Sequence, residues 1–466
     1  MSSISSLNSL LGSSSIDISS ILQAAFGSSS PGIDVTSAVN AAVTAAQAPE
    51  NAWQSQEATL QSQNSALTTL QSGASMLDAD MQTLNDLTGP LASRTVNSSN
   101  ANLVTASASA GATTGNHVVV VNNLASTASW TSGTFSNAST AMPAGSFTIT
   151  MAGGTTKTIT TDGTQTLADV ANQINGDGLG VTASVVTDSS GSRLAIVSNS
   201  SGAANDFSIG SAGSGFGFTQ AAMGKDASLT VDGINITSAS NTVTGAVPGL
   251  TLNLLSAQQG TEVSLRVAPD TTAATNAINQ FVSDYNSMIT QLTSQFTFNG
   301  TSEGVLATDS TVRSLQSSLL GAISYTYSPA SGTTTVPNLS SLGISVGNDG
   351  KLTVDSPTLQ NVLQNNYSDV QNFFQGSALN GFANSVDQQL STYINGGDGA
   401  FTLDLQSLST QFNDLQKNIS NFETNYITPL RTQLQNSYSQ AEIALQQLPL
   451  EMKQLNAELG TNNSGN

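Results

Sequence analysis

The chain has 466 residues, with 10 Lys and Arg against 30 Asp and Glu, a formal net charge of -20, a single His and no Cys. Nucleic acids are gripped by clustered cations, so a basic set this sparse, with no member before Arg94, excludes a nucleic-acid binder. The missing thiols exclude disulfides, thiolate zinc sites and cysteine nucleophiles, and one histidine, His117, leaves no His pair for a metal.

Charged residues are 9% of the chain where about 25% is usual, so hydroxyls and amides carry the solubility. The length suits about three domains. No apolar run of about 18 residues occurs, so no membrane insertion is expected, and the Ser-rich start has no basic region of the kind a Sec signal needs.

Residues 1–31 read as a disordered, Ser-rich N-terminus. Within them Ser15-Ile16-Asp17-Ile18-Ser19-Ser20-Ile21-Leu22-Gln23-Ala24-Ala25 recurs seventeen residues later as Gly32-Ile33-Asp34-Val35-Thr36-Ser37-Ala38-Val39-Asn40-Ala41-Ala42. Each copy sets an Asp and a Ser or Thr ahead of an amphipathic stretch, the chemistry of a helix N-cap. Residues 32–94 are expected to be N-terminal coiled-coil helices. Pro49-Glu50 marks a helix restart. From there Trp53, Leu60, Leu67, Ala74 and Met81 recur every seven residues, with Leu70, Leu77 and Leu84 three places after a member of that series and Leu91 seven beyond Leu84. That is an a/d heptad. Gly89-Pro90 closes it, leaving a helix about 60 Å long.

The middle of the chain changes to period two. Runs at 118–121, 147–151, 181–186, 194–197, 229–231, 250–255 and 263–267 predict strands, with Gly153-Gly154, Asp162-Gly163, Ser190-Gly191 and Asp232-Gly233 as turns. One helix, Thr166 to Ile174, interrupts with Thr166 as its cap. The pattern divides into a β domain in two parts, 95–135 and 226–269, with a β-rich outer domain, 136–225, inserted between them.

Residues 270–400 form a helical and mixed region. It opens with an apolar helix face of Ala274, Ile278, Phe281, Val282, Tyr285, Met288, Ile289 and Leu292. Helices at 312–323 and 359–374 follow, with a hairpin of 343–346 and 351–354 around Asp349-Gly350. Residues 401–466 return to coiled-coil spacing: Leu408, Phe412, Leu415, Ile419, Phe422 and Tyr426, then Leu434, Tyr438, Ala441, Leu445, Leu448, Met452, Leu455 and Leu459. Pro429 and Pro449 lie inside this helical pattern, where proline removes a hydrogen bond and kinks the helix. A segmented helix is expected, with Pro429 as a hinge candidate.

The fold class is therefore α+β multidomain, with paired N- and C-terminal coiled-coil helices forming a leg and β-rich globular domains in the centre. The assembly residues are Leu60, Leu67, Leu77, Leu84, Leu408, Phe412, Leu415, Ile419, Phe422, Leu445, Leu448, Met452 and Leu455. Few ion pairs flank these stripes, so register is weakly specified. The outermost helices, Val35 to Ala46 and Leu434 to Leu459, are expected to gain order on assembly.

Motifs that carry chemistry are few. Gly224-Lys225-Asp226 lacks the first Gly and the metal-binding hydroxyl of a phosphate loop. Gly210 to Gly217 reads as a flexible turn rather than a dinucleotide site. No carboxylate pair can be singled out for glycoside hydrolysis, no EF-hand spacing occurs, and His117 reads as a surface or edge residue. No catalytic residue, cofactor or metal is expected.

The chain resembles the bacterial flagellar filament cap family, also called hook-associated protein two. The resemblance rests on Gly32-Ile33-Asp34-Val35 with Ala48-Pro49, and on Leu229 to Thr237 followed by Asn241-Thr242-Val243 and Val247 to Leu252. Ala277 to Asn286, and Leu342-Gly343-Ile344 with Asp349-Gly350-Lys351-Leu352, extend it. The first 31 residues are longer and richer in Ser than the family's usual start, and Pro449 stands where unbroken helix is usual. The resemblance implies unfolded export through the flagellar type III apparatus with a cytoplasmic chaperone. It also implies secretion to the distal filament tip, a homo-oligomeric ring, and flagellin as the partner of mobile coiled-coil legs. Alternatives are a flagellum-borne adhesin, using the outer β domain on glycans or host surfaces, and a hook-filament junction protein.

Overall fold

A computed structural model describes residues 34–210, 215–297, 304–330, 332–376 and 380–461. The expected disorder of 1–31, the first copy of the repeat and part of the Gly210 to Gly217 run lie outside these residues.

Helix α1 (Val35–Ala46) starts where the second repeat copy places its cap: the Asp34 carboxylate accepts from Ser37 N at 3.1 Å and from Ser37 Oγ at 2.6 Å. Helix α2 (Ala48–Asn85) comes next, with Pro49 in its first turn and Glu50 beside it. The chain then enters the β-rich part through Leu91, which stays in the helical core, and Arg94. The Arg94 guanidinium donates to the carbonyls of Ala92, Ser93 and Ala112 and lies 6.0 Å from the Tyr367 ring.

Strands β1 (Arg94–Ser98), β2 (Val104–Ala108) and β3 (Gly115–Asn123) lead outward. An insertion then carries β4 (Ser129–Thr131), β5 (Gly145–Met151), β6 (Thr156–Thr161), α3 (Leu167–Gly176), β7 (Val181–Asp188), β8 (Gly191–Ser198), β9 (Phe207–Gly210) and β10 (Thr219–Ala222). Its two ends meet where Ser126 and Lys225 exchange backbone hydrogen bonds of 2.9 and 3.1 Å. Return is through β11 (Ala227–Val231), β12 (Ile234–Ser238), β13 (Thr242–Thr244), β14 (Leu250–Leu254) and β15 (Val263–Pro269).

Two antiparallel sheets, ordered β1-β15-β3-β11-β12 and β13-β14-β2, close on one core that includes Val104, Val121, Leu229, Leu252 and Leu265. The insertion has its own core of Phe147, Leu167, Ile174, Leu194, Ile196 and Phe216, between the sheets β10-β4-β8-β7 and β6-β5-β9 and helix α3. Thr166 and Asp169 cap α3 reciprocally, as the sequence predicts for Thr166.

All seven predicted runs fall on strands, with Leu255 just past the end of β14. The strands missed from the sequence are short, and several are polar: β6 is Thr-Lys-Thr-Ile-Thr-Thr and buries only Ile159 and Thr161. Nor is His117 at an edge. It sits on β3, inside the five-stranded sheet, half-buried.

The helical part begins at α4 (Thr271–Phe296), capped by Asp270, which accepts from Thr272 N and Ala273 N. Then come α5 (Ser310–Ala322), the hairpin β16 (Ile344–Val346) and β17 (Leu352–Val354), α6 (Ser356–Asn365), α7 (Tyr367–Gln375), α8 (Phe382–Ile394), α9 (Ala400–Phe422), a π-turn (Glu423–Ile427) and α10 (Thr428–Thr461). The stretch expected as one helix, 359–374, is two, because Asn366 leaves helical geometry at φ -131° and ψ 34°. Helix α8 is absent from the predicted elements, although Phe382, Val386, Leu390 and Tyr393 mark its buried face. Pro449 does not break α10, which runs through it.

Candidate assembly surface

On α2 the heptad residues Leu60, Leu67, Leu70, Ala74, Leu77, Met81 and Leu84 are buried. Their partners extend the expected pairing of N- and C-terminal helices into a larger bundle. From Leu67 onward they enter one core with α4, α5, α7, α8 and the start of α9, through Phe281, Tyr285, Leu315, Phe373, Phe382, Leu390 and Phe401. Leu408 is only partly buried against this core, Phe412 and Ile419 are half-buried, and Leu415 is buried. Further out, Gln416 Nε2 donates to Glu57 Oε1 at 3.0 Å, and the Trp53 ring meets Phe422 edge-on at 5.3 Å. Helices α2 and α9 thus run antiparallel at this end, leaving the bundle as a pair.

Beyond this pair the seam changes phase. The four-three pattern nominates Tyr426 for the apolar seam, but Tyr426 is exposed and stacks on Phe422, while Ile427 is fully buried. A π-turn holds one residue more than an α-turn and rotates the helix on its C-terminal side. It lies directly before Pro429, whose ring clashes with the carbonyl four residues back and which has no N–H to donate. The local helix widens at the residues where proline disrupts the ladder. Pro429 itself is exposed.

Past the π-turn, α1 packs on α10. Val39, Val43 and Ile427 are buried together, with Val35, Ala46, Phe422, Leu434 and Tyr438 packed round them. Arg431 Nη1 lies 3.5 Å from Asn40 Oδ1. Sequence reasoning missed Ile427, since nothing in residue spacing announces a π-turn. Beyond Tyr438 the seam has no cover among the described residues: Leu445 is 40% exposed, Leu448 49%, Met452 61% and Leu455 57%. Four large apolar side chains exposed on one helical stripe form the kind of surface that marks an interaction site.

Two acid pairs line the bundle. Asp78 is buried on α2 near Asp387 of α8, and Gln82 Nε2 donates to Asp78 Oδ2 at 2.9 Å and reaches Asp387 Oδ1 at 3.3 Å. Burial first, and Asp387 second, push the Asp78 carboxyl up to about 6. Asp80 is half-buried; burial and the neighbouring charge of Asp284 on α4 push it up to about 7. Perturbed carboxyls often mark active sites, but these lie in helix-helix seams. No group of three or more His, Asp or Glu able to hold a metal occurs among the described residues. A hollow on α10 is lined by Thr428, Pro429, Thr432, Gln433, Asn436, Ser437 and Gln440, none of them ionisable.

The central sequence motif is a tight structural unit. Val231 pairs with Ile234, so Asp232 and Gly233 form a two-residue hairpin turn, both at positive φ (52° and 81°), which identifies the type I′ geometry that Asp-Gly favours. Asp232 also accepts from Val118 N at 2.8 Å and lies 2.7 Å from His117 Nδ1. The His117 hydrogen bond, and after it that from Val118 N, holds the Asp232 carboxyl below its usual range.

These features coincide with known families. The family described as flagellar hook-associated protein 2 C-terminus matches residues 224–449, its N-terminus counterpart matches 31–128, and a flagellin hook IN motif matches 146–200. The chain belongs to the flagellar hook-associated protein 2 family. It is 27% identical to the B-type flagellar hook-associated protein 2 of Pseudomonas aeruginosa, over 71% of this chain and 74% of that one. It is 26% identical to the A-type protein of Pseudomonas aeruginosa, over 78% of this chain and 83% of that one. Among solved structures, the D1-D2-D3 domains of the flagellar cap protein FliD from Escherichia coli match with a TM-score of 0.59 at 25% identity, covering 74% of this chain and 99% of that chain. The matched N-terminal stretch holds α1, α2 and β1 to β3. The C-terminal stretch opens just before β11, so the Asp232-Gly233 hairpin falls within it. The family is one of structural flagellar proteins, and the adhesin alternative finds no support in these comparisons.

Proposed function

We propose that this chain caps the distal tip of the flagellar filament as a homo-oligomeric ring and promotes flagellin polymerisation through its terminal helices. The β-rich units at 95–135 with 226–269, and at 136–225, form the plate over arriving subunits. The bundle of 270–400 with the inner part of α2 forms the shoulder, and α1 with α10 forms the leg. The observation that carries this reading is the exposed stripe Leu445, Leu448, Met452 and Leu455, which prolongs the seam that α1 covers and is shaped to take another helix. With few flanking charges to fix its register, such a stripe exchanges partners readily, as a cap stepping round a growing filament requires. Pro429 beside the π-turn is the hinge.

Export by the flagellar type III apparatus, with a cytoplasmic chaperone, delivers the chain to this extracellular site. The chemistry is conformational, with no catalytic step. Hydrogen exchange on free protein and on protein assembled at filament tips tests the mechanism: α1 and residues 434–459 should gain protection on assembly. Equal protection in both states contradicts it.

A further inference from the structure

The heptad of α2 carries acids at the positions where packed helices ordinarily set opposite charges against each other. With Ala74 and Met81 at a, and Leu77 and Leu84 at d, Asp78 is an e residue and Asp80 a g residue, so they flank the buried stripe on its two sides. Ion pairs between neighbouring helices are usual there. Here acid meets acid. Asp78 faces Asp387 of α8, and Asp80 faces Asp284 of α4.

Both pairs are short of donors. Asp78 is buried, and Asp80, Asp284 and Asp387 are half-buried. One exposed amide serves the first pair, Gln82 Nε2 donating to Asp78 Oδ2 at 2.9 Å and reaching Asp387 Oδ1 at 3.3 Å. In the second pair Gln280 Nε2 donates to Asp284 Oδ2 at 2.9 Å. Asp78 Oδ1 and Asp80 Oδ2 are buried and accept no hydrogen bond among the described residues. No cation offsets either pair there: the charged groups acting on Asp78 and Asp80 are Asp387 and Asp284, and α7 and α9, which also pack on α2, bring none. Two carboxylates in such a seam repel each other. When one of them carries a proton it becomes the missing donor, and the repulsion turns into a hydrogen bond.

The place of the pairs gives this a consequence. They lie in the last two turns of α2, after which the chain enters the β units through Leu91 and Arg94. Leu77, Met81 and Leu84 hold this end in the core, and Gln375 Nε2 of α7 donates to the Asp86 carbonyl at 3.0 Å. We propose that the two acid pairs form a proton-operated latch on this end of α2. With a proton shared in each pair, α2 is closed on α4 and α8; with both protons lost, the seam opens locally and loosens the end of α2 from which the chain enters the β units. Opening is confined to the residues around the pairs and leaves the rest of the bundle closed.

Hydrogen exchange on the full chain between about pH 5.5 and about pH 8, corrected for the base-catalysed exchange of free amides, tests the latch. Burial first, and the facing acid after it, set the Asp78 and Asp80 carboxyls at about 6 and about 7. In the closed seam they give up their protons within this window, whereas in the open seam they are ionised throughout it. Protection across 77–85 should therefore fall at least about tenfold, while 312–319 of α5 and 229–231 of β11 keep theirs. Asp78→Asn with Asp80→Asn puts an amide donor into each pair and should keep 77–85 protected at the upper pH. Asp284→Asn with Asp387→Asn, made from the facing helices, should do the same. The proposal is overturned if wild-type protection at 77–85 does not change over the window, or if a folded double variant keeps the pH-dependent loss. It is equally overturned if 312–319 loses protection in step with 77–85, for then the bundle opens as a whole.

Discussion

Asp80 and Asp78 set the pH behaviour of the helical bundle. In the unfolded chain both titrate near the ordinary 3.8, whereas in the fold burial and the facing acids push them up to about 7 and about 6. The folded state therefore binds more protons between these values, and stability falls as pH rises from about 4 to about 7. Asp80→Asn removes the charge that has to be buried. It is expected to flatten the profile and to stabilise the bundle by about 1–2 kcal/mol at pH 7.5, after allowance for solvent screening. Urea midpoints from pH 5 to 8 measure this. At the other extreme of rigidity stands Gly249, at φ 78°, where an added Cβ meets that of Ala112 at 2.9 Å. Gly249→Ala should cost about 1–3 kcal/mol through backbone strain and crowding, read as a lowered melting temperature of the β core. Residue types such as Asp-Gly and Pro-Gly are legible in a sequence because their backbone requirements are local. The Asp pairs were not, because Asp387 and Asp284 are brought to α2 only by the fold.

At the scale of elements the same division holds. The helices α4 and α9 and strands such as β8 and β14 announce themselves because one face is apolar and the period is regular. Helix α8 has equally regular spacing, yet its neighbours Gly376, Gly381 and Gly396 break up the surrounding sequence. The assembly stripes were legible as stripes, but not in what they meet. Heptad spacing says that a face is buried and is silent on how many helices bury it, so Leu67 to Leu84 looked like half of a two-helix leg when they are the spine of a larger bundle. The π-turn at Glu423–Ile427 was invisible because a one-residue insertion is a matter of hydrogen bonding, not composition. Two substitutions separate the two kinds of stripe. Leu77→Ala, in a fully buried site, should cost about 3 kcal/mol in chemical denaturation. Leu448→Ala, on the exposed seam, should stay within about 0.5 kcal/mol and act on assembly instead, read as loss of ring formation by light scattering or electron microscopy.

Among the described residues the molecule joins three large cores of different kinds and the small cluster of Val39, Val43 and Ile427. The β core and the insertion are closed by strand pairing that runs within each unit, while the helical core gathers segments from both ends of the chain. Among the described residues the terminal helices are thus rooted in the bundle, and their outer parts, α1 and α10, extend past it, α10 with apolar surface to spare. The most direct test is a strain lacking this chain, complemented with the wild type or with Leu448→Asp and Met452→Asp together. The deletion and the double variant should release unpolymerised flagellin into the medium and carry short or no filaments, and the wild type should restore full filaments. Full-length filaments in the deletion strain would contradict the capping role.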